Sequence, residues 1–224
     1  MKILAYDASG STLSIGLFEN QKKLSEITSE SPARHSDVLV PMIQKVLKKH
    51  SIQLVDLDIL AVCLGPGSFT GLRVGIGTAK VLAYLSKIKI VGISVLEAIA
   101  REALGPGDGR VAVQMDARKT AIYGAVYEKK GIQIKPVFKP ALVPIEKFSA
   151  MTKNERIVRA DQSPTSASRI AEGAWPLIVQ KKFIDPFKLE PLYLQARDCN
   201  VTYAARVAPP AGGGSASGGN GRSL

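Results

Sequence analysis

The residues best suited to chemistry in this chain lie in and around one stretch, Gly65-Pro66-Gly67-Ser68-Phe69-Thr70-Gly71-Leu72-Arg73-Val74-Gly75. Backbone N–H groups at a helix start, aided by the helix dipole, bind anions, so a glycine turn entering a helix first suggests a phosphate cradle. The residue types argue against it. A P-loop needs Gly-Lys-Ser/Thr, but Gly71 is followed by Leu72 and Arg73, and the dinucleotide pattern needs a glycine where Thr70 stands. Ser68 lacks the Gly-x-Ser-x-Gly elbow of a hydrolase nucleophile and has no convincing His partner. His35 and His50 are the only histidines, and Leu39 rather than a ligand stands four residues after His35, so no metal site is expected. Asp7 and Asp116, at the ends of matching strand-like runs, could flank a cleft, binding Mg²⁺ or orienting a nucleophile as in phosphotransfer enzymes. The alternative is that both are turn residues satisfying backbone donors.

The glycines suggest packing more strongly than catalysis. Gly65 and Gly67 shape the turn, Ser68 and Thr70 supply hydroxyls at the helix start, and Gly71, Gly75 and Gly77 leave a low patch on the helix. Each helical glycine costs ~1 kcal/mol against alanine, which predicts close backbone approach by a neighbour. That neighbour is the helix near Val38–Lys49, another chain, or both.

The elements that must position these residues follow from periodicity. Ile3–Ala8, Leu13–Phe18 and Lys23–Thr28 read as an antiparallel meander. Val38, Leu39, Met42, Ile43, Val46 and Leu47 have helical spacing, with Pro41 expected either near the first turn or kinking the helix there. Leu57–Leu64 is a buried-type strand, followed by the glycine turn, a helix to about Ser86 and a strand at Ile88–Gly92. Ser94 and Glu97 form a capping-box pattern for a helix ending near Gly105. The first lobe, residues 1–104, therefore reads βββαβαβα. Arg110–Met115 and Ala121–Tyr127 open a second, smaller lobe, 110–202. Laid over the N-terminus without gaps, Asp116-Ala117 falls on Asp7-Ala8 and Ile122 on Leu13, which predicts a duplicated lobe. Short helices are expected near Ile145–Ala150 and Thr165–Ala174, and a strand near Arg156–Arg159. Residues 203–224 form a Gly/Ser/Pro-rich tail expected to be flexible.

A chain of 224 residues with 46% hydrophobic and 22% charged residues can bury a sizeable core. No run approaches the ~18 apolar residues of a membrane span. Asp7 interrupts any signal-peptide core, and Cys63 and Cys199 stand apart, so a cytoplasmic protein with reduced thiols is expected. The formal charge of +11 permits a contact with RNA or an acidic protein, but the cations are spread and no nucleic-acid motif is visible.

Ile3-Leu4-Ala5-Tyr6-Asp7-Ala8-Ser9, the glycine stretch, Asp116-Ala117-Arg118 and Pro191-Leu192-Tyr193-Leu194 together resemble the TsaB (YeaZ) family of bacterial tRNA threonylcarbamoyladenosine biosynthesis proteins. The resemblance covers about residues 1–194. It implies an α/β, two-lobed actin/Hsp70-like ATPase-domain fold, a ribonuclease H-like duplicated βββαβα with the second lobe reduced. It implies a non-catalytic partner of the catalytic paralogue TsaD, which a further ATPase, TsaE, joins. That paralogue uses a His-x-x-x-His metal motif, which this sequence lacks. Asp7, Ser9 and Asp116 then stand at vestigial phosphate-loop positions, with Arg118 where a working second loop has glycine. The implied partner and homodimer interface comprises Val38, Leu39, Met42, Gly71, Leu72, Arg73, Gly75 and Ile76. No cofactor is implied for the isolated subunit, and ATP or ADP at the complex interface is left open. The alternative is a stand-alone ATP-dependent kinase or ATPase of the same fold, with Asp7 and Asp116 on Mg-nucleotide.

Overall fold

The computed structural model describes residues 1–29, 35–117, 120–160 and 166–194. Ser31–Arg34, Arg118, Thr165, Cys199, the end of the expected second lobe and the tail 203–224 lie outside the described residues.

β1 (Lys2–Asp7), β2 (Leu13–Glu19) and β3 (Lys22–Ser29) form the antiparallel meander. β4 (Ile59–Gly65) runs parallel to β1, and β5 (Lys89–Ser94) parallel to β4, giving the order β3-β2-β1-β4-β5. Side chains alternate across a strand, and both faces of this sheet are covered, which is why β1 and β4 read as continuous apolar runs. Leu4 and Tyr6 face α1 (His35–Lys49) and α2 (Phe69–Ser86), packing with Leu39, Ile43 and Ile76. Ile3 and Ala5 belong to the opposite core, with Leu96 and Ile99 of α3 (Val95–Leu104) and Ile170 and Ala174 of α5 (Ala167–Val179).

The second sheet is β6 (Gly109–Asp116), β7 (Ala121–Lys130), β8 (Gln133–Pro144) and β9 (Ile157–Arg159), in the order β8-β7-β6-β9. It repeats the first sheet's antiparallel meander and one parallel strand. α4 (Ile145–Met151) follows β8. α3 packs on β6 and β7, whereas α5 packs on β1, β2, β4 and β5, so the two sheets exchange helices across one shared core. Gly173 permits this: a Cβ there would come within 2.5 Å of Ile93 Cδ1 and 3.3 Å of Ala98 Cβ.

Several local expectations are corrected. α1 begins at His35, before Val38, so Pro41 lies inside the helix rather than in its first turn. Pro41 and Asp37 are both exposed, where a carbonyl released from the helix ladder meets solvent. Ser94 caps α3 by accepting from Leu96 N at 3.2 Å, but Glu97 turns to Arg101, accepting from it at 2.8 and 3.1 Å, so the reciprocal capping box does not form. The gapless repeat slips by one residue: Asp7 pairs with Ser14, but Asp116 pairs with Ile122, because the second turn is one residue shorter. β8 was not expected as a strand; it carries Pro136, Pro140 and Pro144 and occupies the sheet edge, where missing N–H donors are tolerated. Pro191–Leu194 lies beside the end of β4 through Leu192 N donating to Leu64 O at 2.7 Å.

Candidate functional site

A cleft of about 720 Å³ opens where the β1–β2 turn, the glycine turn, the end of β6 and Leu192–Leu194 converge. It brings together Ser9, Gly67, Ser68, Thr70, His35 and Asp116. It does not include Asp7. That residue is 1% exposed, and its Oδ1 accepts from Ser9 N at 2.9 Å and Ser9 Oγ at 2.6 Å. Burial pushes its carboxyl above the ordinary range against the opposing effect of these bonds, and burial likewise raises the neighbouring Cys63 thiol. The two aspartates therefore do not flank the cleft as a pair: Asp7 points into the fold and Asp116 is exposed at the cleft wall.

The glycine turn closes over the turn that follows β1. Ser68 N donates to Ser9 O at 2.7 Å, and a Cβ on Gly67 would overlap that same carbonyl. Gly65, at φ +99°, takes a left-handed conformation that favours glycine. Ser68 is the N-cap of α2, its Oγ accepting from Gly71 N at 3.2 Å, and is spent on the helix rather than on nucleophilic chemistry.

The helix glycines divide into two kinds. A Cβ at Gly71 would overlap the Ala8 carbonyl and lie 2.9 Å from His35 Nδ1; one at Gly75 would lie 3.3 Å from Ala8 Cβ. Their close neighbour is thus this chain's own β1–β2 turn. Tyr6 Oη seals the contact, donating to Gly75 O at 2.6 Å. Gly77 is different: it is exposed, with nothing within 4 Å of a Cβ built on it. Of the eight interface candidates, Leu39, Gly71, Leu72, Gly75 and Ile76 are buried in the core, Val38 and Met42 are half-buried, and Arg73 is exposed. They do not make one surface. What α2 presents outward is Arg73, Gly77, Val81, Tyr84 and Leu85, with Val81, Tyr84 and Leu85 more than half exposed.

Sequence reasoning missed three features of this region. Arg73 stacks 3.8 Å from the centroid of the Phe69 ring and donates through Nε to Tyr193 Oη at 3.1 Å, tying α2 to Pro191–Leu194. His35, considered in the sequence only as a metal ligand, is buried against the start of α2. Glu26 of β3 caps α5, accepting from Ala167 N at 2.8 Å, Ser168 Oγ at 2.5 Å and Ser14 Oγ at 2.8 Å. Burial would raise the Glu26 carboxyl, but bonds from Ser168, Ser14 and Lys23 outweigh it and hold the group at about 2. No local signal marks Glu26, which joins Ser166, the N-cap of α5, at that helix start.

Two solved Pseudomonas aeruginosa proteins share this fold. One, described as similar to peptidase YEAZ, superposes with a TM-score of 0.73 at 24% identity, covering 87% of this chain and 99% of that one. The other, YeaZ, gives 0.71 at 21% identity, covering 86% and 99%. The likeness shows that this two-sheet α/β fold is shared with both proteins. Among curated relatives, the chain is 34% identical over 150 residues to the Escherichia coli tRNA threonylcarbamoyladenosine biosynthesis protein TsaB, covering 64% of each chain. It is 34% identical over 130 residues to the Bacillus subtilis protein of the same name, covering 58% of this chain and 56% of that one. The matches thus span less than two thirds of these relatives. The family model for TsaD, tRNA N6-adenosine threonylcarbamoyltransferase, matches residues 24–183, well over half of this sequence, and the chain belongs to that family, where it is similar to the TsaB (YeaZ) proteins.

Proposed function

We propose that this chain is an accessory subunit in the formation of threonylcarbamoyladenosine on tRNA, docking the catalytic paralogue TsaD rather than performing the transfer itself. The observation that carries this reading is the outward face of α2, where Gly77, Val81, Tyr84 and Leu85 form an apolar stripe at helical spacing. The names of the curated relatives point the same way. So does the closed turn at Asp7–Ser9, whose Ser9 carbonyl is already engaged by Ser68. In this reading the stripe, with Arg73 one turn before it on α2, takes either TsaD or a second copy of the chain. TsaE joins through the complex, any ATP or ADP lies at the complex interface, and the formal charge of +11 leaves contact with tRNA open. The setting is the cytoplasm; no described helix is long and apolar enough to cross a membrane.

Mixing the full chain with TsaD from the same genome and measuring the mass of the complex tests this. A heteromeric complex is expected, and Gly77→Arg should abolish it while leaving the fold intact. Failure to associate, or unchanged association of the variant, would overturn the assigned surface.

A further inference from the structure

The second sheet ends on an edge strand that has a cavity beside it. β9 is the last strand in the order β8-β7-β6-β9, and Ala112 N of β6 donates to Arg156 O at 2.9 Å. In parallel pairing, alternate residues of a strand turn their backbone groups to the same neighbour. Arg156 and Val158 therefore bond toward β6. The N–H and C=O groups of Ile157 and Arg159 face the other way, where no further strand pairs among the described residues.

The side chains of those two residues share one face. Register sets Ile157 beside Ala112 and Arg159 beside Gln114, and Ala112 belongs to the small core beneath Phe148 of α4. Residues two apart on a strand point the same way, so Ile157 and Arg159 lie on the face that carries α4. That helix has only 7 residues and leaves Ile157 44% exposed. A cavity of about 710 Å³ lies there, lined by Gln114, Ile145, Ser149, Arg156, Ile157 and Arg159 among others.

The cavity is basic, with no carboxylate among its described lining residues. Residues 145–159 hold four cations against two acids, and one of those acids, Glu155, is paired with Arg110 at 2.8 Å. Arg156 is fixed by donating from Nη1 to Ala103 O at 2.8 Å. Arg159 is exposed and has no hydrogen bond or ion pair with a described residue. A guanidinium with free donors matches the two oxygens of a carboxylate.

We propose that β9 and this cavity form a strand-addition site for an extended acidic segment of a protein partner. The segment's backbone pairs with Ile157 and Arg159, an apolar side chain lies against Ile157 and Ile145, and an acid two residues away pairs with Arg159. Backbone groups in extended register and an apolar floor favour a peptide over RNA, for which stacking rings would be needed and none lines the cavity. A second copy of the chain is disfavoured, because two β9 strands paired about a two-fold axis would set their arginines against one another. The site is separate from the α2 stripe and does not depend on what that stripe binds.

The test uses the full chain, isotope-labelled for backbone amide spectra, and the synthetic peptide acetyl-Glu-Thr-Val-Thr-Glu-amide. This peptide presents a valine and an acid two residues apart on one face in either strand direction. Saturable shifts of the Ile157 and Arg159 amides are expected, with those of Val81 and Leu85 on α2 unmoved. The basic counterpart, acetyl-Lys-Thr-Val-Thr-Lys-amide, should bind at least tenfold more weakly. Arg159→Glu should reverse that order without changing the melting temperature, a result that loss of structure does not produce. If Arg159→Glu does not fold, the contrast between the two peptides on the unmodified chain decides, together with methylation of the acidic peptide's Thr and Val nitrogens, which should abolish the shifts. No saturable response would mean that the arginines only blunt the edge against self-pairing, and would overturn the site. So would an equal response to both peptides, shifts that grow with protein concentration alone, or saturation by a uridine decamer at a lower concentration than the acidic peptide.

Discussion

Ser68 donates its backbone N–H to the carbonyl of Ser9 at 2.7 Å, across 59 residues of chain, and so fastens the glycine turn onto the turn that ends β1. The contact turns two stretches that each resemble part of a phosphate loop into one packed junction. Ser9 in turn holds Asp7 inward, so a single chain of bonds links the glycine turn to a buried carboxylate.

The glycines of this junction should respond in opposite directions to the same substitution. Gly67→Ala and Gly71→Ala force a Cβ onto the Ser9 and Ala8 carbonyls and should each cost about 2–4 kcal/mol. Gly77→Ala adds a side chain in open space on an exposed helix face and should gain about 0.5–1 kcal/mol. Urea denaturation of the three variants measures both signs.

Tyr6→Phe removes the hydroxyl that donates to Gly75 O at 2.6 Å in the buried core. The ring packing is kept and Gly75 O stays in the ladder of α2 with Ala79 N, so the loss should be about 0.5–1.5 kcal/mol, the net worth of one buried hydrogen bond. The same denaturation curves read it, with an unchanged slope against denaturant showing that the fold is intact.

Glu26 should make stability sensitive to acid. Its carboxyl is held at about 2 against an ordinary 4.5, so its contribution is complete above pH 4.5 and disappears as pH falls from 4.5 toward 2. Glu26→Gln should therefore cost about 1–2 kcal/mol at neutral pH, a modest figure because the group is partly solvated. The gap between wild type and variant should shrink below pH 4.5 and close near pH 2. A gap independent of pH would show that the charge on Glu26 is not what caps α5.

Val81→Asp with Leu85→Asp should leave thermal stability within about 0.5 kcal/mol, since both side chains are exposed. Association with TsaD, and any self-association, should fall by more than tenfold. Size-exclusion chromatography with mass detection reads both.

Much of the first lobe was legible because its signals are local. β1, β2 and β4 are short apolar runs cut by turn residues, and α2 is announced by Ser68 at its N-cap after a glycine turn. β8 was illegible because three prolines are allowed only by its place at a sheet edge, which the chain does not declare locally. The face of α2 was misjudged for a related reason. Leu72, Ile76, Val81 and Leu85 are all apolar, so periodicity alone does not separate the buried pair from the exposed pair.

By itself, the sequence determined which segments are strands and helices in the first lobe, where the glycine turn lies, and the family resemblance those motifs carry. These rest on turn geometry, capping and side-chain alternation, all acting within a few residues. Only the tertiary structure decided what the special residues touch. Gly71 meets Ala8 and His35, Glu26 reaches Ser168 across 142 residues, and Asp7 turns away from the cleft that Asp116 lines. Such contacts are set by how the two sheets share α3 and α5, and no local pattern encodes that choice.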